Sequence, residues 1–177
     1  MPAVVTGDVV PMHIEGRPPV RVAEIASDAY LSFLVEELKP FIDARYRTLP
    51  GPGDTVVMGS SMGGLVSLYA LARYPGVFGA AGAVSTHWPA ADGAVADWLP
   101  GHLPAPGRHR LWFDHGSETL DAGYAPYQQR VDAALRKSGW VEGRDWHSRV
   151  FVGAAHDEAA WRSRVELPLA FLLGHAD

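Results

Sequence analysis

An α/β fold, with a mostly parallel sheet and helices on both faces, is what this sequence predicts, on three observations. Short apolar or β-branched runs alternate with longer segments of helical periodicity from residue 27 onward. Glycine and proline punctuate the joins, as at Pro50-Gly51-Pro52-Gly53 and Pro75-Gly76. The 177 residues fit one domain and are enough to bury a core.

The elements follow in order. Residues 1–26 form an irregular N-terminal segment, in which Pro11 and Pro18-Pro19 interrupt weak strand-like pieces such as Val9-Val10. Residues 27–177 hold the α/β body. From Ser27, Tyr30, Phe33, Leu34, Leu38, Phe41, Ile42 and Tyr46 recur at helical spacing. Ser27 or Asp28 is placed to cap this helix, and Pro40 to kink it. Strands are expected at about 54–59 and over Ala80 to Thr86, with a Leu- and Ala-rich helix over about 62–74 between them. Residues 88–108 read as a loop or short helix covering something apolar. Arg110 to Phe113 reads as a strand ending at Asp114-His115-Gly116. Tyr127 to Lys137 is an amphipathic helix, Trp146 to Val152 a strand, and Asp157 to Leu173 a last helix.

Chemistry enters at Gly59-Ser60-Ser61-Met62-Gly63-Gly64, a G-x-S-x-G run between a predicted strand and a predicted helix. That context suits a nucleophile elbow, a sharp turn that lifts the serine hydroxyl above the sheet. Gly59 and Gly63 let strand and helix approach without side-chain clashes, and the Met62 N–H at the helix start is a candidate oxyanion donor. An ordinary strand-to-helix turn is the alternative reading. A serine hydroxyl needs a base, and the base needs a carboxylate to hold it.

Where such elbows occur, the chain order is serine, then acid, then histidine. His156, on a loop between the last strand and the last helix, fits that place. His13 and His175 lie too early and in the tail, His102 and His109 in or beside the covering loop, and His147 in a strand. The acid stays open between Glu118 and Asp121, with Asp121 favoured slightly for its distance from the following helix. Asp114 is better placed to brace its turn. Asp157, Glu158, Trp161, Arg162 and Arg164 read as surface and packing residues of the last helix. Ser60, His87 and Trp88 are candidates to contact substrate, with a core or lid role equally open for the tryptophan.

Composition excludes several classes. The chain has no cysteine, which removes disulfides, thiolate metal sites and thiol catalysis. A net charge of −5 provides no footprint for nucleic acid or an anionic membrane surface. No apolar run approaches the roughly 18 residues of a membrane span. The start of the chain does not read as a signal peptide, so a cytoplasmic location is expected. No metal-ligand spacing or phosphate cradle is present, and no cofactor is expected.

The chain resembles the esterase D-like branch of the α/β-hydrolases, which includes feruloyl and acetylxylan esterases, siderophore esterases and mycolyltransferases. The likeness spans about residues 27–173. It is carried by Asp28-Ala29-Tyr30 through Phe41-Ile42-Asp43, Met58 to Leu65, Tyr74 to Ala80, Phe113 to Asp121 and His156 to Trp161. The resemblance implies a serine hydrolase acting on a small-molecule carboxylic ester through Ser61, His156 and a carboxylate from the 118–121 loop. Such proteins usually carry further strands before the helix at Ser27, including one whose loop supplies a second oxyanion donor. This chain is therefore expected to be N-terminally incomplete, with an exposed sheet edge that invites a homo-oligomer or another partner chain. A non-catalytic hydrolase-like module, and an acyltransferase to a sugar alcohol, are the competing expectations.

Overall fold

The computed structural model describes residues 26–174. Apart from Ala26, the irregular segment expected over 1–26 lies outside the described residues, as do His13, His175 and the source sought for a second oxyanion donor. Four strands form one sheet: β1 (Val56–Ser60), β2 (Ala80–Val84), β3 (Arg110–Gly116) and β4 (Trp146–Phe151). They lie in the order β1-β2-β3-β4, and every pair is parallel. The helices are α1 (Ser27–Ser32), α2 (Lys39–Asp43), α3 (Met62–Arg73), α4 (Ala94–Trp98), α5 (Ala125–Lys137), α6 (Glu158–Arg162) and α7 (Glu166–Leu173). Among the described residues, no helix is long and apolar enough to cross a membrane.

Strand alternation divides the core in two. Leu111 and Phe113 of β3 face one side, where they join Leu65, Leu68 and Leu71 of α3 and Val131 and Leu135 of α5. Trp112 faces the other side, against Leu172 and Phe171 of α7. The Ala-Ala-Gly-Ala-Val sequence of β2 is buried throughout, and its small side chains let α3 settle against it. β1 is apolar yet only half-buried along its length, because it is an edge strand of the described sheet.

Several expectations change. The first helix has no side-chain cap: its N-cap is Ala26, and Asp28 instead accepts a hydrogen bond from the Tyr69 hydroxyl. Between α1 and α2 the chain widens into a π-helical stretch, Phe33–Leu38, and runs on through Pro40. Much of its apolar stripe is exposed. Leu31 is buried, but Tyr30, Phe33, Leu38, Phe41 and Tyr46 are exposed. β3 runs on to Gly116, so Asp114 lies inside a strand rather than at its end. The last helix is two helices with a break at 163–165, close to Pro168, which lacks the N–H to continue a regular turn. The covering segment 88–108 holds α4 between two short 3₁₀ turns.

Candidate active site

Ser61 sits between β1 and α3 with φ 56° and ψ −119°, a left-handed φ that a side chain rarely adopts. Strain of that kind costs on the order of 1–3 kcal/mol. The structure around it is strong enough to impose it. Each of Leu65, Leu68 and Leu71 on α3 contributes about 1.5–3 kcal/mol on burial, and all three are at most 3% exposed. The Ser61 N–H donates to the Val84 carbonyl (2.9 Å), while its own carbonyl accepts from the N–H groups of Gly64 (3.1 Å) and His87 (3.2 Å). Gly59 is required here: a Cβ on it would lie 2.7 Å from the Gly63 carbonyl. The sharp strand-to-helix turn expected from the sequence is formed.

The parallel order brings the loops after β3 and β4 to the same end of the sheet as Ser61. Nε2 of His156 lies 2.9 Å from Ser61 Oγ, across 95 residues of sequence. Nδ1 of the same ring lies 2.6 Å from Asp121 Oδ1. A carboxylate only accepts, so the Nδ1 proton faces Asp121 and the Nε2 lone pair faces the serine hydroxyl. The His156 N–H donates to Thr119 Oγ1 (2.8 Å), which seats the histidine loop on the acid loop. The ring stands edge-on to Tyr124 and to Trp161.

Asp121 is buried in the short turn Thr119–Gly123. Its Oδ2 accepts from the Gly116 N–H (2.5 Å) and from Ser85 Oγ (2.6 Å), so the carboxylate has three donors. Glu118 is exposed and pairs with the Ser117 hydroxyl. Of the two candidate acids, the structure therefore brings Asp121 to His156 and leaves Glu118 outside. Asp114 is also away from the histidine, buried and paired with Arg164 (3.0 Å). Burial pushes its carboxyl above the ordinary range, against the opposing pull of Trp112 and Arg164.

His87 borders this site, with Nδ1 2.7 Å from the Tyr124 hydroxyl. Burial, and then the neighbouring His156, lower the affinity of His87 for a proton. Burial, and then the charge of Asp121, raise the Tyr124 phenol well above its usual range. Met62 is at the first position of α3, where a backbone N–H has no acceptor within the helix. Ser60 ends β1 beside it. Trp88 is a correction. It is 1% exposed, packs near Phe113 and donates from Nε1 to Gln128 Oε1 (2.9 Å), so it is a core residue rather than a substrate contact. Arg164 is a second correction, since it is buried rather than solvated on its helix.

Ser85, Gly116, Thr119 and Tyr124 contribute to this cluster, and none of them had a role of its own legible in the sequence. Ser85 read as part of a buried strand, Gly116 as the end of the next strand, and Thr119 as part of the loop that follows it. Among the described residues, no group of three or more His, Asp or Glu side chains is arranged to hold a metal ion.

A model of the family described as Putative esterase matches residues 16–170. YbbA, an uncharacterized protein of Bacillus subtilis (strain 168), is 26% identical over 120 residues, which are 64% of this chain and 47% of that protein. Enterochelin esterase from Shigella flexneri superposes with a TM-score of 0.66 at 25% identity, over 83% of this chain and 37% of its own. MPT51 of Mycobacterium tuberculosis shares the fold with a TM-score of 0.62 at 18% identity, over 82% of this chain and 68% of its own. The chain thus spans about half the length of the curated relative and little over a third of the enterochelin esterase.

Proposed function

This chain belongs to the Putative esterase family, and from that premise we propose that it hydrolyses carboxylic esters through an acyl-enzyme on Ser61. The observation that carries the reading is the continuous contact from Ser61 Oγ to His156 Nε2 (2.9 Å) and from His156 Nδ1 to Asp121 (2.6 Å). Ser61 Oγ attacks the ester carbonyl carbon as its proton passes to His156 Nε2. Asp121, held as an acceptor, orients the ring and stabilises the imidazolium. The carbonyl oxygen becomes an oxyanion facing the Met62 N–H at the start of α3. Collapse of this intermediate breaks the bond to the leaving oxygen, which takes the proton from Nε2 and departs as the alcohol. Water then attacks the acyl carbon as its proton passes to His156 Nε2, the bond to Ser61 Oγ breaks, Oγ recovers the proton from Nε2, and the carboxylic acid leaves. Ser60 and His87 border the space where the ester would lie.

The test is hydrolysis of p-nitrophenyl acetate and butyrate, with labelling by a serine-directed phosphonate. Turnover and labelling by the folded protein, with turnover reduced about 10⁴-fold or more and labelling lost in Ser61→Ala, is the expected result. A folded wild-type protein that neither turns over nor labels would overturn the reading.

A further inference from the structure

Arg164 lies behind the site and touches neither Ser61 nor His156, yet its guanidinium has a specific assignment. Nη2 donates to Ser85 Oγ (2.8 Å) and to Asp114 Oδ1 (3.0 Å), Nε donates to the same Asp114 oxygen (3.1 Å), and Nη1 donates to the Ala160 carbonyl (3.2 Å). Asp114 takes a further proton donor, the Trp112 indole, at Oδ2 (2.7 Å). Both ionic side chains are at most 3% exposed. A buried ion pair is a poor way to gain stability, because desolvation offsets most of the attraction. The side-chain to side-chain hydrogen bond that the ion pair does not account for is the one to Ser85.

A guanidinium can only donate, so Ser85 Oγ must accept from it. The hydroxyl has one proton, and its other polar neighbour is Asp121 Oδ2 at 2.6 Å. Arg164 therefore turns the Ser85 proton toward Asp121. The Gly116 N–H, which also can only donate, meets the same oxygen. Oδ2 is thus occupied by two donors, and Oδ1 is left to the Nδ1 proton of His156. The Ser85 backbone is fixed for this task at φ 41°, with its N–H on the Asp114 carbonyl (2.8 Å).

We propose that Arg164 is a positioning residue of this active site, acting through the Ser85 hydroxyl to hold Asp121 as a fixed acceptor for His156. The inference rests on the reading of Ser61, His156 and Asp121 given above. The charged and titratable groups around the pair are Asp114 and Arg164 behind Asp121, Tyr124 beside it, and His87 across from His156.

The test compares wild type, Ser85→Ala, Arg164→Lys and the double variant, each checked for folding by thermal unfolding. Ser85→Ala leaves the ion pair intact, and Arg164→Lys keeps the positive charge beside Asp114 without the second donor in the same plane. Two readouts are used: kcat and KM on p-nitrophenyl acetate, and the low-field proton resonance of His156 Nδ1. In Ser85→Ala, kcat is expected to fall about ten- to hundred-fold, the range for one lost hydrogen bond to a charged group, with KM unchanged. The Nδ1 resonance is expected to broaden as the proton exchanges faster with water. Arg164→Lys should move both readouts the same way, and the double variant should be no worse than Ser85→Ala. If Arg164→Lys unfolds, Asp114→Asn with Arg164→Met removes both charges together and takes its place. Unchanged kcat and resonance in a folded Ser85→Ala, or in the folded Arg164 variant, would overturn the proposal, as would a full additional loss in the double variant. The resonance needs no turnover, so it decides the proposal even if wild type fails to hydrolyse esters, the result that would overturn the hydrolase reading.

Discussion

Gly116 and Ala154 meet backbone to backbone: a Cβ added to Gly116 would lie 2.0 Å from the Ala154 carbonyl oxygen. That oxygen also accepts from the N–H groups of Ser117 and Glu118, both at 3.1 Å. The loop carrying Asp121 is in this way stapled to the loop carrying His156. Gly116→Ala must push the two apart, since the obstructing atom is main chain and cannot rotate away. Its kcat/KM is expected to fall about 10²-fold, the cost of a displacement near 1 Å. The melting temperature should fall as well. Steady-state kinetics and calorimetry on the variant check both.

Asp121 and Glu118 are separated by a paired substitution. In Asp121→Asn, the two donors at the Oδ2 site select the amide oxygen, which turns the NH₂ toward His156 Nδ1. The ring must then accept at Nδ1 and carry its proton on Nε2, where it cannot act as base toward Ser61. A loss of about 10⁴-fold in kcat is expected from the wrong tautomer. Glu118→Gln, on an exposed side chain, should stay within a few-fold of wild type. Rates on p-nitrophenyl butyrate decide between them.

The lowered proton affinity of His87 makes a pH prediction. Its ordinary value is 6.5, and burial lowers it in the folded protein. Below about pH 6.5 the unfolded chain therefore takes up a proton that folded His87 resists, so stability falls as the pH drops through that range. His147, also lowered by burial, adds to the same slope. Urea unfolding at pH 7.5 and 5.5 should show the lower stability at 5.5, with a smaller difference in His87→Gln.

Trp88 offers a test of its place in the core. Trp88→Ala should cost about 3–5 kcal/mol of stability, the range for emptying a large aromatic site. Any variant that remains folded in the assay, such as Trp88→Phe, should keep the KM of wild type. A raised KM in folded Trp88→Phe would return the side chain to the substrate pocket.

What could be read from residues alone was local. The elbow is one continuous stretch, and Gly59 and Ser61 stand where a strand turns directly into a helix, so their spacing carries the geometry; Gly63, expected to be needed as well, has open space where a Cβ would stand. The order of strands and helices was legible for the same reason, since each period of 2 or 3.6 lies within one element. His156 was reachable because its place follows from the chain order of the elements. Tertiary structure decided the rest. Asp121 and Glu118 share one loop, and only the turn Thr119–Gly123 with its donors Gly116 and Ser85 makes one inward and the other outward. The exposed apolar stripe over 30–46 has the helical spacing of a core face, and periodicity cannot say whether anything packs against it. Arg164 looked like a surface charge on a continuous helix. The break after α6 turned it inward, where burial is tolerable only because Asp114 and Ser85, 50 and 79 residues away, take up its donors.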